Sequence, residues 1–187
     1  MSNRVTNLPV PFTFQFAVTT TGTPEQLTVK YRSTDVAFND NGVSADTITD
    51  TDSKFLTSGF QAGDQITVSG SVSNDGTYTI ATVTASTITL LSRNVLTTEV
   101  AGATVKLTAP KTVPDGVGVT VKAKYSNGGA IHIGYSSATA LSTGGGSYSL
   151  RNNESVELQV DNLSDIWLDA TVSGESVEII FEKNIQA

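Results

Sequence analysis

The sequence predicts an all-β chain, a β-sandwich domain with a second small β-barrel or roll module inserted into it. Three observations carry that prediction. Residues 60–90 read FQAGDQITVSGSVSNDGTYTIATVTASTITL, three strands' worth of alternation broken only by turn residues. Ile66 and Val68, Tyr78 and Ile80, and Ile88 and Leu90 each stand two apart, which puts each pair on one face of a pleated strand. Hydrophobic content is 38% and charged content 16%, and Thr, Ser, Gly and Asn, the residues of half-buried pleats and turns, fill the difference. No window repeats apolar residues at helical spacing over three turns, so the longest helix expected is one turn around Ser53–Ser58.

Three segments follow along the chain. Residues 1–28 hold a polar arm, Pro9 and Pro11, and then Phe12, Phe14, Phe16 and Val18 alternating along the first strand of the sandwich. Residues 29–107 form the small module. It opens with VKYRSTDVAF, crosses the polar loop NDNGVSADTITDTDS and enters the alternating block. There Gly63-Asp64, Asn74-Asp75-Gly76 and Ala85-Ser86 supply the turns, and the module closes with Val105 and Leu107. Residues 108–187 supply the rest of the sandwich. Its strands are GVTVKAKY, AIHIGY, NESVELQV, DIWLDATV and SVEIIFEK, with a flexible tip, STGGGSYS, after the second.

The runs VKY and VKL at the two ends of the middle segment match as neighbouring strands. Their pairing would bring the module's ends together, as an inserted domain requires; three beads in a row is the other arrangement.

Charge and composition exclude several classes. The net charge is −7, and Lys and Arg do not cluster, so no basic stripe is present to neutralise phosphates; no nucleic-acid partner is expected. Without cysteine there is neither a disulfide scaffold nor thiolate chemistry. The stretch MSNRVTNLPVPFTFQF lacks the charged and apolar regions of a signal peptide, and no apolar run approaches a membrane span. Synthesis in the cytoplasm and no membrane partner are the expectations.

Few residues stand out as sites. Asp40, Asp46, Asp50 and Asp52 offer oxygen ligands for calcium, but their spacing departs from the EF-hand pattern, and a solvated loop is the default. His132 is the one histidine, and its neighbours Ile131 and Ile133 send it to the opposite face, toward solvent or a partner. One His and no Cys build no metal site, and neither a catalytic triad nor a glycosidase carboxylate pair stands out. No catalytic, cofactor or metal residue is assigned. Trp167 points outward beside Asp169 if Ile166 and Leu168 face the core; it is then either covered by a loop or used in an interface. Tyr135 and Tyr148 flank the Gly144-Gly145-Gly146 tip. With Pro9, Pro11 and Phe12 of the arm and first strand, which suit strand addition onto a neighbour, these residues make up the candidate interface.

The pattern FLTSGFQAGDQITVSGSVSNDGTYTIATVTASTITL, ending in AGATVKL, resembles a small β-module of tailed-bacteriophage structural proteins. The stretches TVPDGVGVTVKAKYSNGGAIHIGYSS and RNNESVELQVDNLSDIWLDATVSGESVEIIFE are similar to β-sandwich domains of phage virion proteins. The resemblance leaves the N-terminal arm unmatched. It implies a non-enzymatic virion protein made in the bacterial host cytoplasm, most simply a decoration (cement) protein on the outer head surface. The implied partners are the major capsid protein or other virion proteins, and the implied oligomer is a homotrimer. A tail, neck or fibre accessory and a host-glycan-binding adhesin module are the alternatives.

Overall fold

A computed structural model describes residues 9–91, 95–143 and 146–184. The polar arm before Pro9 and Gly144-Gly145 of the tip lie outside the described residues. Within them the chain is almost entirely strand. The strands are β1 (Pro9–Ala17), β2 (Glu25–Gln26), β3 (Val29–Ser33), β4 (Val36–Asn39), β5 (Thr47–Asp50), β6 (Gln65–Ser69), β7 (Gly76–Val83) and β8 (Thr87–Leu90). They continue with β9 (Val105–Ala109), β10 (Val119–Ala123), β11 (Ile131–Gly134), β12 (Tyr148–Leu150), β13 (Ser155–Leu158), β14 (Trp167–Ala170) and β15 (Ser176–Asn184). One helical turn, α1 (Ser137–Ala140), and a 3₁₀ turn at Leu163–Asp165 complete the order.

Contacts divide the chain into two units, Thr28–Lys111 and the remainder, Met1–Leu27 with Thr112–Ala187. The discontinuous unit holds two four-stranded antiparallel sheets, ordered β1-β15-β10-β13 and β12-β11-β14-β2. Period two decides which side chains its first sheet buries. Phe12, Phe14 and Phe16 of β1 stand opposite Phe181, Ile179 and Val177 of β15, and all six are buried. The rings of Phe12 and Phe181 meet at a tilt, with centroids 5.0 Å apart. Val119, Val121 and Ala123 of β10 are fully buried beside them. In the second sheet Ile131, Ile133, Leu150, Leu168 and Ala170 form the buried row.

The continuous unit is one seven-stranded sheet, β3-β9-β6-β7-β8-β5-β4. Its two edge strands are joined by Thr34-Asp35 alone, so the sheet must curl into a roll. The two Val-Lys runs pair: Val29 with Ala109, Tyr31 with Leu107 and Ser33 with Val105. Phe38, Ile48, Phe55, Phe60, Ile66, Ile80, Ile88 and Leu107 fill the interior, each almost wholly removed from water. Phe55 meets Tyr31 and Phe60 edge-on, at 5.7 and 6.2 Å between centroids. Past one end of the β6–β9 ladder, Asp64, just before β6, and Lys111, just after β9, form a buried ion pair. A lone buried charge is costly, so each partner is tolerated only in the presence of the other.

Three local expectations are overturned. The single helical turn is at Ser137–Ala140, while residues 55–59 form only turns. A capping box explains the location: the Ser136 side chain accepts from the Thr139 backbone N–H, and Thr139 returns the bond to the Ser136 backbone. The loop after Asn39 contains β5, whose Ile48 is completely buried. The polar alternation Thr-Ile-Thr-Asp conceals a strand paired on both sides, with β4 and β8. The tip after Leu141 gives way to β12, which pairs along β11 from Tyr148 to Leu150.

Gly134 makes the position of α1 possible. A β-carbon there would collide with the backbone of Thr139 and Ala140. Gly134→Ala is therefore expected to destabilise the discontinuous unit by about 2 kcal/mol, the cost of overpacking, measured by denaturant unfolding. An unchanged midpoint would show that α1 moves freely.

Candidate functional site

The second sheet of the discontinuous unit gathers most of the sequence-selected residues. On its strand β11, His132 stands opposite Asp169 of β14 and Ser149 of β12, and Gly134 stands opposite Trp167. His132, Ser149, Asp169, Trp167 and Gly134 therefore share the face away from Ile131 and Leu168. That face is not open water. Trp167 and His132 are half-buried, and Asp169 has no exposed surface at all. The expectation that Trp167 and Asp169 point outward together is corrected on the second residue: loops close over Asp169.

Hydrogen bonds show why. Asp169 Oδ1 accepts from the Gly22 N–H at 2.9 Å and from the Ala170 N–H at 2.8 Å. Asp169 Oδ2 accepts from the Ser142 N–H at 2.8 Å. One carboxylate thus ties the loop after β1 and the segment after α1 to the middle of the sheet. Burial pushes its pKa up, but the N–H donors of Ser142, Ala170 and Gly22 outweigh burial and leave it below the usual aspartate value.

His132 serves no such centre. Its Nδ1 lies 2.8 Å from Ser147 Oγ and 3.1 Å from Ser149 Oγ, so both hydroxyls crowd one ring nitrogen. A triad needs an acid orienting one nitrogen while the other meets the nucleophile. Here the acid across the ladder, Asp169, is taken up by backbone donors.

The remaining candidates separate. Tyr135 and Tyr148 are 71% and 58% exposed; Tyr148 stands opposite Ile133, and Tyr135 follows the end of β11. Phe12, expected at an interface, is a core residue at 3% exposure, because it faces Phe181 across the β1–β15 ladder. Pro11 is exposed on β1, and Pro9 begins the same strand, its side chain outside the description. The arm and first strand thus split: β1 belongs to the fold.

The acidic loop is also recast. Asp46 and Asp50 are buried, not solvated. Asp46 accepts from the N–H groups of Asn41 and Leu96 at 2.9 and 2.7 Å. Asp50 accepts from the Tyr31 hydroxyl and the Lys54 N–H at 2.9 and 3.0 Å. Their oxygens are engaged by donors, and among the described residues no three His, Cys, Asp or Glu side chains gather as metal ligands do.

Sequence reading missed a further cluster at the loop end of the roll. Glu99 accepts from the N–H groups of Val72 and Ser73 at 2.9 and 3.1 Å, and Asn74 bonds both Thr97 O and Thr97 N–H. The Asp40 N–H donates to Thr98 Oγ1 at 3.2 Å. The loops following β4, β6 and β8 are thereby stapled together, and they carry Val43, Val72, Val95 and Val100, each more than four-fifths exposed. No periodic pattern marks such residues; only the combination of valine with turn composition hints at them.

Two pH dependences follow. Because the Asp169 pKa is lowered from 3.8, its stabilisation is complete above pH 3.8 and is lost as pH falls through the lower folded value. Acid unfolding followed by Trp167 fluorescence is expected to lose this component in Asp169→Asn, whose neutral stability drops by about 2 kcal/mol because an amide cannot accept all three bonds. An acid limb identical to that of the wild type would contradict this role. Tyr31 is pushed up to about 12 by burial, with Asp50 adding to the rise and a Ser33 bond opposing it. Its contribution is therefore full below pH 10 and lost as pH climbs toward 12. Tyr31→Phe should flatten that alkaline limb in a denaturation series.

Comparison of the chain with protein-family models, with curated proteins and with solved structures returns no match.

Proposed function

We propose that the chain is a non-enzymatic structural protein of a bacteriophage virion, a decoration protein bound to the outer surface of the head. The observation that carries the reading is the use made of the buried acids. Asp46, Asp50, Asp64, Asp169 and Glu175 are the buried carboxylates among the described residues, and each accepts bonds that hold loops or a strand end in place, Glu175 through one of its two oxygens. Such an arrangement favours a rigid scaffold over a reactive cleft. The resemblance of the turn-and-strand pattern to phage virion modules supplies the biological setting. On this reading the two four-stranded sheets are the layers of a sandwich that attaches to the shell, with the major capsid protein as partner and a homotrimer as the bound form. The inserted roll is displayed. Binding only to the assembled shell then stabilises it by mass action, without chemistry.

A second reading rests on one observation, the exposure of Tyr135, just after β11, and of Tyr148, at the start of the paired β12. Exposed tyrosines offer stacking faces to sugars, as in a host-glycan adhesin.

Cryo-EM of particles carrying a tagged copy tests the first reading directly. Density over the head is the expected result, and density confined to tail or neck would move the protein there. A variant lacking residues 28–111 is expected to keep particle binding if the discontinuous unit attaches; loss of binding by a folded variant would reverse the assignment. A glycan array is expected to stay blank, and specific signals abolished by Tyr135→Ala or Tyr148→Ala would favour the adhesin.

A further inference from the structure

The two outer edges of the first sheet are treated differently by the sequence. On β1, the Val18 N–H bonds Glu175 O, so alternate residues back to Phe12 turn their backbone toward β15. Pro9 and Pro11 fall at the intervening positions, whose N–H groups would face outward. Proline there removes the donors a further strand would use and leaves the β1–β15 ladder intact.

The opposite edge, β13, has no such guard. The Ala123 N–H bonds Glu154 O, and Val121 and Val119 stand opposite Val156 and Leu158. Glu154, Val156 and Leu158 therefore turn their backbone toward β10, and Ser155 and Glu157 turn theirs away from the sheet. Val156, Leu158 and Val160 are only half-buried, whereas Val119 and Val121 beside them are fully buried. The edge contains no proline or lysine and leaves an apolar row incompletely covered.

The sequence of this edge indicates its occupant. Val156-Glu157-Leu158-Gln159-Val160 reads almost the same in both directions about Leu158. An antiparallel two-fold pairing of the segment with itself sets Leu158 opposite Leu158, Val156 opposite Val160 and Glu157 opposite Gln159. Backbone parity allows shifts only by whole residue pairs. One shift places Glu157 opposite Glu157, a repulsive pair, and the next toward the N-terminus puts Glu154 opposite Leu158. A shift the other way faces Glu157 with Asp161. Only the Leu158-centred register matches apolar with apolar throughout and opposes no two carboxylates.

We propose that β13 is a homotypic docking edge, at which a second copy of this chain adds its own β13 to form a continuous eight-stranded sheet across a two-fold axis. This goes beyond the virion reading and does not depend on it. Outward backbone groups of Glu157 meet those of Gln159 in the other copy and provide the central hydrogen bonds, while the Asp161 carbonyl, which would face Ser155, is already taken by the Val113 N–H and marks the end of the ladder. The Val156-Leu158-Val160 rows of the two copies cover each other.

The test uses the full chain. Sedimentation velocity over a concentration series is expected to show the wild type associating in pairs. Glu157→Pro removes an outward N–H together with the side chain that lies against Gly118, and is expected to abolish that association with the strand signature of its circular dichroism unchanged; Glu157→Ala, which loses the same side chain and keeps the N–H, is expected to associate still. Because the chain has no cysteine, single substitutions also report register. Leu158→Cys places two sulfurs across the axis with Cα atoms about 4.5 Å apart, within disulfide range, and should cross-link at least tenfold faster than Glu157→Cys. A wild type that stays monomeric, an oligomer that Glu157→Pro leaves unchanged, or equal cross-linking of the two cysteine variants would each overturn the proposal. Should Glu157→Pro fail to fold, the cysteine pair decides alone.

Discussion

A buried backbone N–H without an acceptor costs as much as a broken hydrogen bond, and short strands leave many such groups at the loops that join them. This chain meets the constraint with carboxylates planted at strand ends and in the sheet. Asp46 and Asp50 bracket β5 and hold the loops on either side of it. Asp169, in the centre of its sheet, holds two segments far apart in sequence, around Gly22 and Ser142. Glu175 accepts from the N–H groups of Gly128 and Gly129 through one oxygen, while its second oxygen is buried without a protein donor. A negative net charge is thus partly interior, and it follows from how the loops are secured as much as from any solubilising surface.

The same logic closes the inserted unit. Pairing of β3 with β9 brings Thr28 to Ala109, where the threonine hydroxyl donates to the Ala109 carbonyl at 2.9 Å. The Asp64–Lys111 pair then ties the start of β6 to the segment that follows β9. An apolar pair of similar volume could pack there with comparable stability, but it would tolerate a slip of the strands. Lys111 and Asp64 satisfy each other only in one register. The ion pair therefore acts on specificity at the point where the chain enters and leaves the roll.

These features explain which parts of the fold were legible in the sequence. The Phe12–Val18 run, GVTVKAKY and SVEIIFEK announce strands because a sheet with one buried face writes period two directly into the sequence. The pairing of VKY with VKL was legible for the same reason. Edge strands of two or three residues, such as β2 and β12, are too short to show a period at all. Thr47–Asp50 was hidden because Thr and Asp flank a single apolar residue, Ile48, and the burial of Asp46 and Asp50 depends on donors at Leu96, Tyr31 and Lys54. Phe12 shows the reverse error. Its closeness to the arm suggested an interface, but the partner that buries it, Phe181, is nearly the whole chain away.

Rigidity at the loop end of the roll bears on what such a molecule is for. Exposing Val43, Val72, Val95 and Val100 forgoes hydrophobic burial, and β-branched residues suit strands better than turns. Fixing those loops with Glu99, Asn74 and Asp46 spends conformational entropy as well. Neither cost is needed to complete the core, which Phe38, Leu96 and Leu107 already fill from below. A loop cluster that is both apolar and preorganised loses little further entropy when another surface meets it. The folding constraint that began with unsatisfied N–H groups thus has a second effect: the bonds that satisfy them at Val72, Ser73, Asn74, Thr97 and Glu99 tie together two loops that expose valines to solvent.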